Sequence, residues 1–398
     1  MHPALEALGD YPLARFQDLA RAMAAEGTPL HDFSVGDPVE PTPRFIRTAL
    51  IDAVPEVSQY PTAAGLPELR QEIATWAHRR TGVRVDPDRH VLPTSGSKEA
   101  IFHLPLAVLD PDGPRDGALY GTPGYAPYER GARFASGRAD PEPLSAASGW
   151  RLHLEALERD RLDRAGLAWL NYPHNPTGAI ADRDYLARQL ATARERGVTL
   201  ASDECYLDIH PVAGPRPPSV LEVAADASSA EDPDLSGLLV AFSLSKRSGM
   251  TGYRSGALVG DPELIRRNRL LRPNIGTASP EFVQRAAIAA WSDEEHVAER
   301  RATFDAKRAV LLDFAARAGL AVSGSEATFY LWLAAPGGDD AAYAEALLAY
   351  RIIASPGRAF GPGGQGWLRL ALVPSVEGCQ EAAAIWERAI ADGSLPGH

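Results

Sequence analysis

Apolar positions along the first two thirds of the chain follow either a helical period or short continuous runs. In LPELRQEIATWAHRRTG, residues 66–82, the apolar positions keep helical spacing up to Gly82, which predicts a helix. Short apolar runs predict strands at 166–173, 198–209 and 238–246. Because strands and helices alternate from about residue 66 to 290, we expect βαβ units and an α/β fold with a mostly parallel, covered sheet.

The pattern changes after Pro280. A stretch rich in Ala, Arg and Glu predicts a long helix over roughly 281–318, and the later runs TFYLWLA and WLRLALV predict two strands. We therefore expect a smaller α+β domain that also takes in the start of the chain. The predicted boundaries are 1–40 for the N-terminal segment, 41–285 for the large domain and 286–398 for the small domain. The Pro-, Ser- and acid-rich segment 214–237 predicts a surface excursion.

The composition is that of an ordinary globular protein, with 398 residues of which 45% are hydrophobic and 23% charged. A net charge of −12 argues against binding to nucleic acid or anionic membranes. We expect neither a membrane span nor a signal peptide, because no apolar run is long enough and acidic residues come early. The two cysteines, Cys205 and Cys379, are far apart, which fits a reducing cytoplasm and gives no metal-site spacing.

The segment SLSKRSGMTGYRSG, residues 243–256, places Lys246 among hydroxyls, glycines and two arginines. Ser243 and Ser245 can donate to a phosphate, and Arg254 can bind it with its planar fork. Lys246 then presents an amine beside that phosphate, as a pyridoxal phosphate (PLP) enzyme requires for its Schiff base. A lone lysine would be interpreted as a solvated loop residue, so the hypothesis depends on the segments that follow.

Two turn-rich segments supply polar groups for a pyridine ring. Asp203 in ASDECY ends a predicted strand and can keep the ring nitrogen protonated, although a strand-end cap or salt bridge is the alternative. Tyr206 can hydrogen-bond to the phenolic oxygen of the cofactor. Asn175 in NYPHNPTG can donate to the same oxygen, with a simple turn asparagine as the alternative.

Two further segments fit a phosphate and a ring face. In PTSGSKEA, residues 93–100, the amides of Ser97 and Lys98 and the Ser97 hydroxyl lie at the positive end of a predicted helix, with N-capping as the alternative. In GTPGYAPY, Tyr125 can stack on the pyridine ring, whereas Tyr128 is interpreted as core packing.

The run GPGGQG, residues 361–366, matches a dinucleotide-binding pattern but leads into a predicted strand, not a helix. We interpret it as a loop before Arg369. A charged residue inside the apolar run WLRLALV is costly unless it is paired. A substrate carboxylate is one suitable partner for its guanidinium, and a protein acid is the alternative.

These segments, in this order, resemble the class I/II aminotransferases of PLP fold type I over about residues 10–390. The resemblance implies a large domain with a mostly parallel seven-stranded-type sheet between helices, a smaller α+β domain, and a homodimer with the active site at its interface. It identifies Lys246 as the Schiff-base lysine and Asp203 as the partner of the pyridine nitrogen. The other implied cofactor ligands are Ser97, Lys98, Tyr125, Asn175, Tyr206, Ser243, Ser245 and Arg254.

The same resemblance implies three roles at the substrate and the dimer interface. Tyr60 matches a tyrosine that reaches the phosphate in the partner subunit. Gly36 matches a glycine whose backbone lies over the substrate, where Asn175 also contributes. Arg369 matches the arginine that binds the substrate α-carboxylate.

The segments SDECYLDI, SLSKRSGMTGYRSG, SEATFYLWL and DEEHV look like those of bacterial N-succinyldiaminopimelate aminotransferases. The chain departs from them at RPNIGTA, residues 272–278, a region that helps to shape the side-chain pocket. Arg272 is a candidate ligand for a second carboxylate, with a surface arginine at a helix end as the equal alternative.

The expected activity is a ping-pong exchange in which glutamate donates its amino group and N-succinyl-2-amino-6-oxopimelate accepts it. The alternatives are an aminotransferase for aspartate, alanine, aromatic amino acids or aminoadipate, and a PLP-dependent carbon–sulfur β-lyase. A non-catalytic regulator of the same fold is a weaker alternative, because the chain shows no added DNA-binding length and no basic face.

Overall fold

The computed structural model describes residues 3–9, 11, 14–276 and 278–397, and its elements alternate much as the apolar pattern predicts. The strands are β1 (His31–Asp32), β2 (Val91–Thr94), β3 (Gly117–Thr122), β4 (Arg138–Pro143), β5 (Ala165–Leu170), β6 (Thr199–Asp203), β7 (Leu238–Ser243), β8 (Gly256–Gly260), β9 (Tyr330–Ala334), β10 (Ile352–Ile353), β11 (Ser355–Pro356) and β12 (Trp367–Ala371).

Helices flank these strands along the described chain. They are α1 (Pro3–Leu8), α2 (Ala14–Ala25), α3 (Arg44–Asp52), α4 (Pro67–Thr81), α5 (Ser97–Val108), α6 (Pro127–Phe134), α7 (Arg159–Arg164), α8 (Arg183–Arg196), α9 (Val220–Asp226), α10 (Leu244–Arg247), α11 (Pro262–Ile275), α12 (Glu281–Ser292), α13 (Glu295–Arg317), α14 (Asp340–Leu348) and α15 (Val376–Ala391). The helix predicted over 66–82 is α4, and it ends as expected at Gly82, whose φ of 76° suits a residue without a side chain.

The main sheet has seven strands in the order β2-β8-β7-β6-β5-β3-β4. The neighbours from β7 to β4 pair in parallel, and only β8 runs antiparallel to both of its neighbours within this sheet. Every residue of β5 and β7 is buried, as is typical of strands covered by helices on both faces. The predicted α/β fold with a mostly parallel sheet is therefore confirmed.

The two ends of the chain meet in a second, smaller assembly. Strand β1 pairs in parallel with β10, while β11, β12 and β9 form a three-stranded antiparallel sheet. Phe33, just after β1, belongs to the same apolar cluster as Phe314 and Trp386 near the C-terminus. This contact supports the expected association of the first 40 residues with the small domain, although the exact boundaries stay a prediction.

Three elements differ from the expectation. The predicted helix over 281–318 is interrupted between α12 and α13, where the Asp293 carboxylate accepts a hydrogen bond from the His296 amide at 3.0 Å. The strand predicted over 198–209 ends at Asp203. The segment 214–237 is not wholly a surface excursion, because it contains α9, in which Val220 and Leu221 are fully buried.

None of the described helices is long and apolar enough to cross a membrane. Within the described residues, no three His, Cys, Asp or Glu side chains are arranged to hold a metal ion.

Candidate active site

A cleft of about 570 Å³ opens at the carboxyl ends of the parallel strands. Strands β6 and β7 end at Asp203 and Ser243, and the segments after β3 and β5 bring in Tyr125 and Asn175. The cleft brings together most of the residues predicted for the cofactor and substrate, namely Gly36, Ser97, Lys98, Tyr125, Asn175, Asp203, Tyr206, Ser243, Ser245, Lys246, Arg254 and Arg369.

Lys246 projects from the short helix α10 into this cleft. Its Nζ donates a hydrogen bond to the carbonyl of Gly36 at 2.6 Å. Burial of the ammonium group lowers the pKa of Lys246 from 10.5 to about 8, with the nearby charge of Asp37 opposing that shift. A larger share of the side chain is therefore present as the free amine, which is the form that attacks an aldehyde and accepts a proton.

Gly36 is required for this arrangement by its close approach to an aromatic residue. A Cβ atom at Gly36 would collide with the hydroxyl of Tyr330. The absence of a side chain therefore lets the backbone of this segment lie against Tyr330 and above Lys246.

Asp203 lies at the floor of the cleft with 4% of its surface exposed. The Tyr128 hydroxyl donates to its Oδ2 at 2.7 Å, and the amide of Cys205 donates to its Oδ1 at 3.2 Å. Burial raises the pKa of Asp203, and these hydrogen bonds oppose the rise. No salt bridge joins this carboxylate to a cation among the described residues, so the site can accept a positively charged partner from a ligand.

The first turn of α5 forms the other end of the cleft. Gly96 precedes it with a φ of 76°, and a Cβ atom there would collide with the guanidinium of Arg254. The Ser243 hydroxyl accepts a hydrogen bond from the Ser245 amide at 3.1 Å. Hydroxyls, helix-terminal amides and a guanidinium thus face one end of the cleft, which is the donor set that binds a phosphate group.

Tyr206 and Asn175 lie between these two ends. The hydroxyls of Tyr206 and Tyr330 are 2.9 Å apart, and burial raises the pKa of both phenols. The side chain of Asn171 accepts a hydrogen bond from the Asn175 amide at 2.9 Å and donates to the carbonyl of Asp203 at 2.8 Å. Asn171 therefore connects by hydrogen bonds the two segments that carry the predicted cofactor ligands Asn175 and Asp203.

Arg369 is buried near the middle of β12, with 2% of its surface exposed. Its guanidinium carbon lies 4.4 Å from the ring centres of both Tyr330 and Phe360. It donates to Asn175 Oδ1 at 3.1 Å and to the carbonyl of Ser34 at 2.6 Å.

The described residues give Arg369 no ion pair, and its buried Nε has no hydrogen-bond partner among them. A buried guanidinium with only neutral partners is suited to receive a carboxylate from a ligand.

Two predicted site residues lie outside this cleft. Tyr60 is 96% exposed, so it makes no contribution to the cleft of its own chain. Arg272 is 3% exposed and donates to Glu99 Oε1 at 3.0 Å and to the carbonyls of Ala63 and Pro93. It is therefore neither a surface arginine nor a residue of the cleft, and its buried pairing with Glu99 favours a structural role. Thr277, in the divergent segment 272–278, lies outside the described residues.

The sequence interpretation missed several residues of the cleft. Tyr128 packs in the core as predicted, stacked on Trp169, and it does not line the cleft, but its hydrogen bond to Asp203 was not predicted. Tyr11, Tyr330 and Phe360 line the cleft and were not predicted. A local signal existed only for Tyr128, which lies one helical turn after Tyr125, whereas the other three reach the cleft through tertiary packing.

Comparison with known proteins places these observations in one family. The family model described as aminotransferase class I and II matches residues 28–385. An LL-diaminopimelate aminotransferase from Desulforudis audaxviator is 35% identical over 370 residues, which cover 92% of this chain and 91% of that protein.

Two solved structures are also similar. An aminotransferase from Neisseria meningitidis has a TM-score of 0.89 and 34% identity, covering 98% of this chain and 99% of that one. A probable N-succinyldiaminopimelate aminotransferase from Thermus thermophilus has a TM-score of 0.84 and 31% identity, covering 95% of this chain and 100% of that one.

Proposed function

Since this chain belongs to the class I and II aminotransferase family, we propose that it exchanges an amino group between glutamate and a long keto acid of the diaminopimelate type that carries a distal carboxylate. The enzyme is a PLP-dependent transaminase. The single observation that carries the proposed site is the convergence of Lys246, Asp203 and Arg369 on one cleft. A ping-pong mechanism follows, because both substrates use the same cleft in turn.

The residues of the cleft fit the cofactor. The carboxylate of Asp203 would hold the pyridine nitrogen, Tyr125 would cover the ring, and Asn175 and Tyr206 would reach the phenolic oxygen. The remaining proposed ligands would hold the phosphate, and they are Ser97, Lys98 through its amide, Ser243, Ser245 and Arg254. Bound PLP supplies an electron sink that stabilises negative charge at the substrate α-carbon.

The protein groups then carry out three tasks. Arg369 binds the substrate α-carboxylate, and Asn175 and the backbone of Gly36 limit where the substrate can lie. Lys246 accepts the proton from the α-carbon of the amino donor in the first half of the exchange. In the second half it donates a proton to the α-carbon of the keto acid that is being aminated. The lowered pKa of Lys246 favours this role. Tyr330 and Phe360, which enclose the guanidinium of Arg369, exclude water and strengthen its attraction for a carboxylate.

A second group of cations supports an acceptor with a distal carboxylate. Lys98 Nζ lies 4.6 Å and the guanidinium carbon of Arg130 lies 5.1 Å from the centre of the Tyr11 ring. Tyr11 and Lys98 both line the cleft. A succinylated substrate carries one more carboxylate than the free diamino acid, so this positive group favours N-succinyl-2-amino-6-oxopimelate as the acceptor.

The free amino keto acid whose amination gives LL-diaminopimelate is a second candidate acceptor. It is favoured by the name of the relative from Desulforudis audaxviator and by the exposed carboxylate of Asp37 at the cleft, which suits a distal ammonium group. The two candidates share the seven-carbon dicarboxylic skeleton. At the far nitrogen one carries an ammonium group and the other a succinyl amide with an added carboxylate, so one comparison separates them.

The test is a single-turnover experiment on the holoenzyme. We would mix it with glutamate, N-succinyl-LL-diaminopimelate or LL-diaminopimelate and follow the loss of the visible band of the lysine-bound cofactor. Loss with glutamate and at least 100-fold faster loss with the succinylated amine than with the free one supports our proposal. The opposite preference selects LL-diaminopimelate. Loss with glutamate alone refutes both acceptors and retains the transaminase.

We also propose a homodimer, supported by apolar side chains exposed on a single chain. Val54, Val57 and Tyr60 are 57%, 75% and 96% exposed, and Leu270 is 60% exposed. Large exposed apolar side chains in one stretch are typical of a surface that a partner covers, and a second copy is the partner we propose. The reducing, cytoplasmic location also remains a proposal, supported by the free buried thiols of Cys205 and Cys379.

In this dimer Tyr60 of each chain would reach the phosphate held by the other. Tyr60→Phe should raise the dissociation constant for PLP roughly tenfold, because one hydrogen bond to a charged group is lost. Equilibrium dialysis of the cofactor measures this effect, and sedimentation should give a mass of two chains. Tyr350→Phe is the control and should bind PLP as the wild type does. A monomer with undiminished PLP affinity in Tyr60→Phe would remove Tyr60 from the site.

Tyr128 is the proposed positioning residue for Asp203. Tyr128→Phe should slow exchange of the substrate α-proton by roughly 10- to 100-fold, since a hydrogen bond to a buried carboxylate contributes about 1.5–3 kcal/mol. Proton exchange in D₂O, followed by NMR, measures the rate. The pH dependence of the cofactor spectrum should shift as well, which a merely structural defect would not produce. Tyr120→Phe removes a hydroxyl from a neighbouring buried tyrosine and should leave both readouts unchanged.

A further inference from the structure

Arg247 directly follows Lys246 and is the last residue of the short helix α10. Its side chain is 2% exposed, and it does not line the cleft into which Lys246 projects. Successive side chains of a helix point about 100° apart, so these two side chains leave α10 in different directions. Arg247 therefore contacts the rest of the protein on a side of the helix that does not face the cleft.

Three hydrogen bonds hold the guanidinium of Arg247. Its Nε donates to Asp208 Oδ2 at 2.8 Å, and its Nη2 donates to Glu294 Oε1 at 2.7 Å. Its Nη1 donates to the carbonyl of Ala290 at 2.9 Å. These partners belong to the segment after β6, to the residue before α13 and to α12, so one side chain connects α10 to three separate parts of the fold.

Helix α10 is a single turn that cannot hold its own orientation. It spans four residues, and a helix of this length is not stable without tertiary contacts. One end continues from β7, and just after the other end Ser248 contacts His296 Nε2 at 2.8 Å. Two attachment points still permit rotation about the line between them, and a third point removes it. Leu244 is also buried, but apolar packing is not directional, so Arg247 supplies the directional third point.

We propose that Arg247 is a positioning residue for Lys246. By fixing the rotation of α10, it holds Lys246 Nζ where this atom can accept the proton of the substrate α-carbon. A displacement of about 1 Å at a reacting group can slow a reaction by about 10²-fold, so a loosely held α10 would slow this step. The inference rests on the proposed function of Lys246, and it concerns the glutamate half of the exchange, so it does not depend on the acceptor.

Arg247→Met tests this role without leaving Asp208 unpaired. Asp208 keeps its ion pair with Arg80, whose Nε lies 2.8 Å from Oδ1. The methionine side chain can lie against Trp76 and Trp291, whose ring centres are 5.6 and 5.2 Å from the guanidinium carbon of Arg247. We therefore expect the variant to fold and to bind PLP.

The α-proton of glutamate should be removed roughly 10- to 100-fold more slowly by Arg247→Met than by the wild type. Single-turnover loss of the visible band of the lysine-bound cofactor measures the rate, with α-protiated and α-deuterated glutamate compared. The slower step should keep its deuterium isotope effect. The glutamate concentration that gives half the maximal rate should stay within about threefold, because Arg369 still binds the substrate. Arg247→Lys should have an intermediate rate, since it keeps the charge but lacks the planar fork that reaches three acceptors.

Arg80→Met is the matched control. Arg80 is a second buried guanidinium paired with Asp208, and it is 8% exposed, but it belongs to α4 and not to α10. Thermal unfolding should show a comparable loss of stability in both methionine variants, whereas only Arg247→Met should transfer the proton slowly.

Equal slowing in both methionine variants, a wild-type rate in Arg247→Met or loss of the isotope effect overturns the proposal. If Arg247→Met does not fold, a wild-type rate in Arg247→Lys overturns it in the same way. Near-normal turnover in Lys246→Ala would instead remove the proposed role of Lys246. An inactive Lys246→Ala together with a wild-type rate in Arg247→Met would remove only the role of Arg247.

Discussion

Lys246→Ala is expected to lower turnover by more than about 10⁴-fold, the upper end of what a positioned general base contributes. The variant loses both the amine that binds the cofactor aldehyde and the group that moves the α-proton. Neither function has a substitute nearby, because the ammonium group of Lys98 lies over the Tyr11 ring and Arg254, a guanidinium, is proposed to bind the phosphate. Single-turnover formation of 2-oxoglutarate from glutamate measures the loss, and PLP retention is measured in the same samples.

A loss of folding would not explain this result. The pKa of Lys246 falls from 10.5 to about 8, which corresponds to a cost on the order of 3 kcal/mol for the ammonium form in the cofactor-free protein. The unfolded chain binds this proton more tightly, so the cost is fully present below pH 8 and disappears as the pH rises to 10.5. Removing the ammonium group therefore relieves a destabilising term at neutral pH, which offsets part of the cavity left by the alanine.

Lys246→Arg is the matched control, since it keeps a cation but supplies no nucleophilic amine at any accessible pH. It should be as inactive as the alanine variant. Turnover within about tenfold of the wild type in either variant, with the fold intact by circular dichroism, would overturn the assignment of Lys246.

The sequence predicted the framework of this site because its signals are local. Strand and helix periods define the sheet, and the residues that follow parallel strands meet at one edge whatever the details of packing. Asp203, Ser243 and Asn175 were therefore accessible from the sequence, even though the strand predicted over 198–209 ends at Asp203. The chain leaves the sheet there and turns, since the Asp203 side chain accepts a hydrogen bond from the amide of Cys205.

The contacts that the sequence did not predict are tertiary. The residues next to Arg272 in the sequence are the same whether it binds a ligand, lies on the surface or pairs with Glu99. Only the packing of its helix against α5 decides among these three roles. Tyr330 lies against Gly36, far from it in the chain, and contacts Tyr206 across 124 residues. The segment 214–237 has a polar composition, yet the Ser219 and Glu222 capping box begins a helix whose apolar face is buried. Composition described the average of that segment and missed the short helix within it.

The proposed acceptor also depends on tertiary contacts. Tyr11, Lys98 and Arg130 come from three separate segments, and their positive cluster exists only in the folded chain. Relatives at 31% and 35% identity carry two different substrate names on one architecture. Because a pocket discriminates by a few contacts worth about 1–3 kcal/mol each, this level of identity preserves the chemistry more firmly than the acceptor.

Asp203→Asn is the second substitution with a large expected effect. Loss of the negative charge should slow removal of the α-proton by roughly 10²- to 10⁴-fold, because breaking a buried charge pair costs about 3–5 kcal/mol. The physical reason is that a carboxylate keeps the ring nitrogen protonated and an amide does not. Exchange of the substrate α-proton in D₂O measures the rate, and the pH at which the cofactor spectrum changes should fall.

Glu204→Gln is the matched control for this variant. Glu204 is the next residue, is 2% exposed, and has a pKa raised by burial to about 7, but it does not line the cleft. Its hydrogen bonds run to Ser202 and Val220 on the far side of the strand, so its loss should change turnover by less than about tenfold.

Stability separates the two explanations for a slow Asp203→Asn enzyme. Burial raises the pKa of Asp203 above its ordinary 3.8, so in the cofactor-free protein the ionised form destabilises the fold, increasingly as the pH rises from 3.8 through the raised pKa. The cofactor-free variant should therefore unfold at no lower temperature than the wild type at neutral pH. A near-normal rate of α-proton transfer in the variant would refute the proposed chemical role of Asp203, and a slow rate together with a lower unfolding temperature would assign Asp203 to the fold.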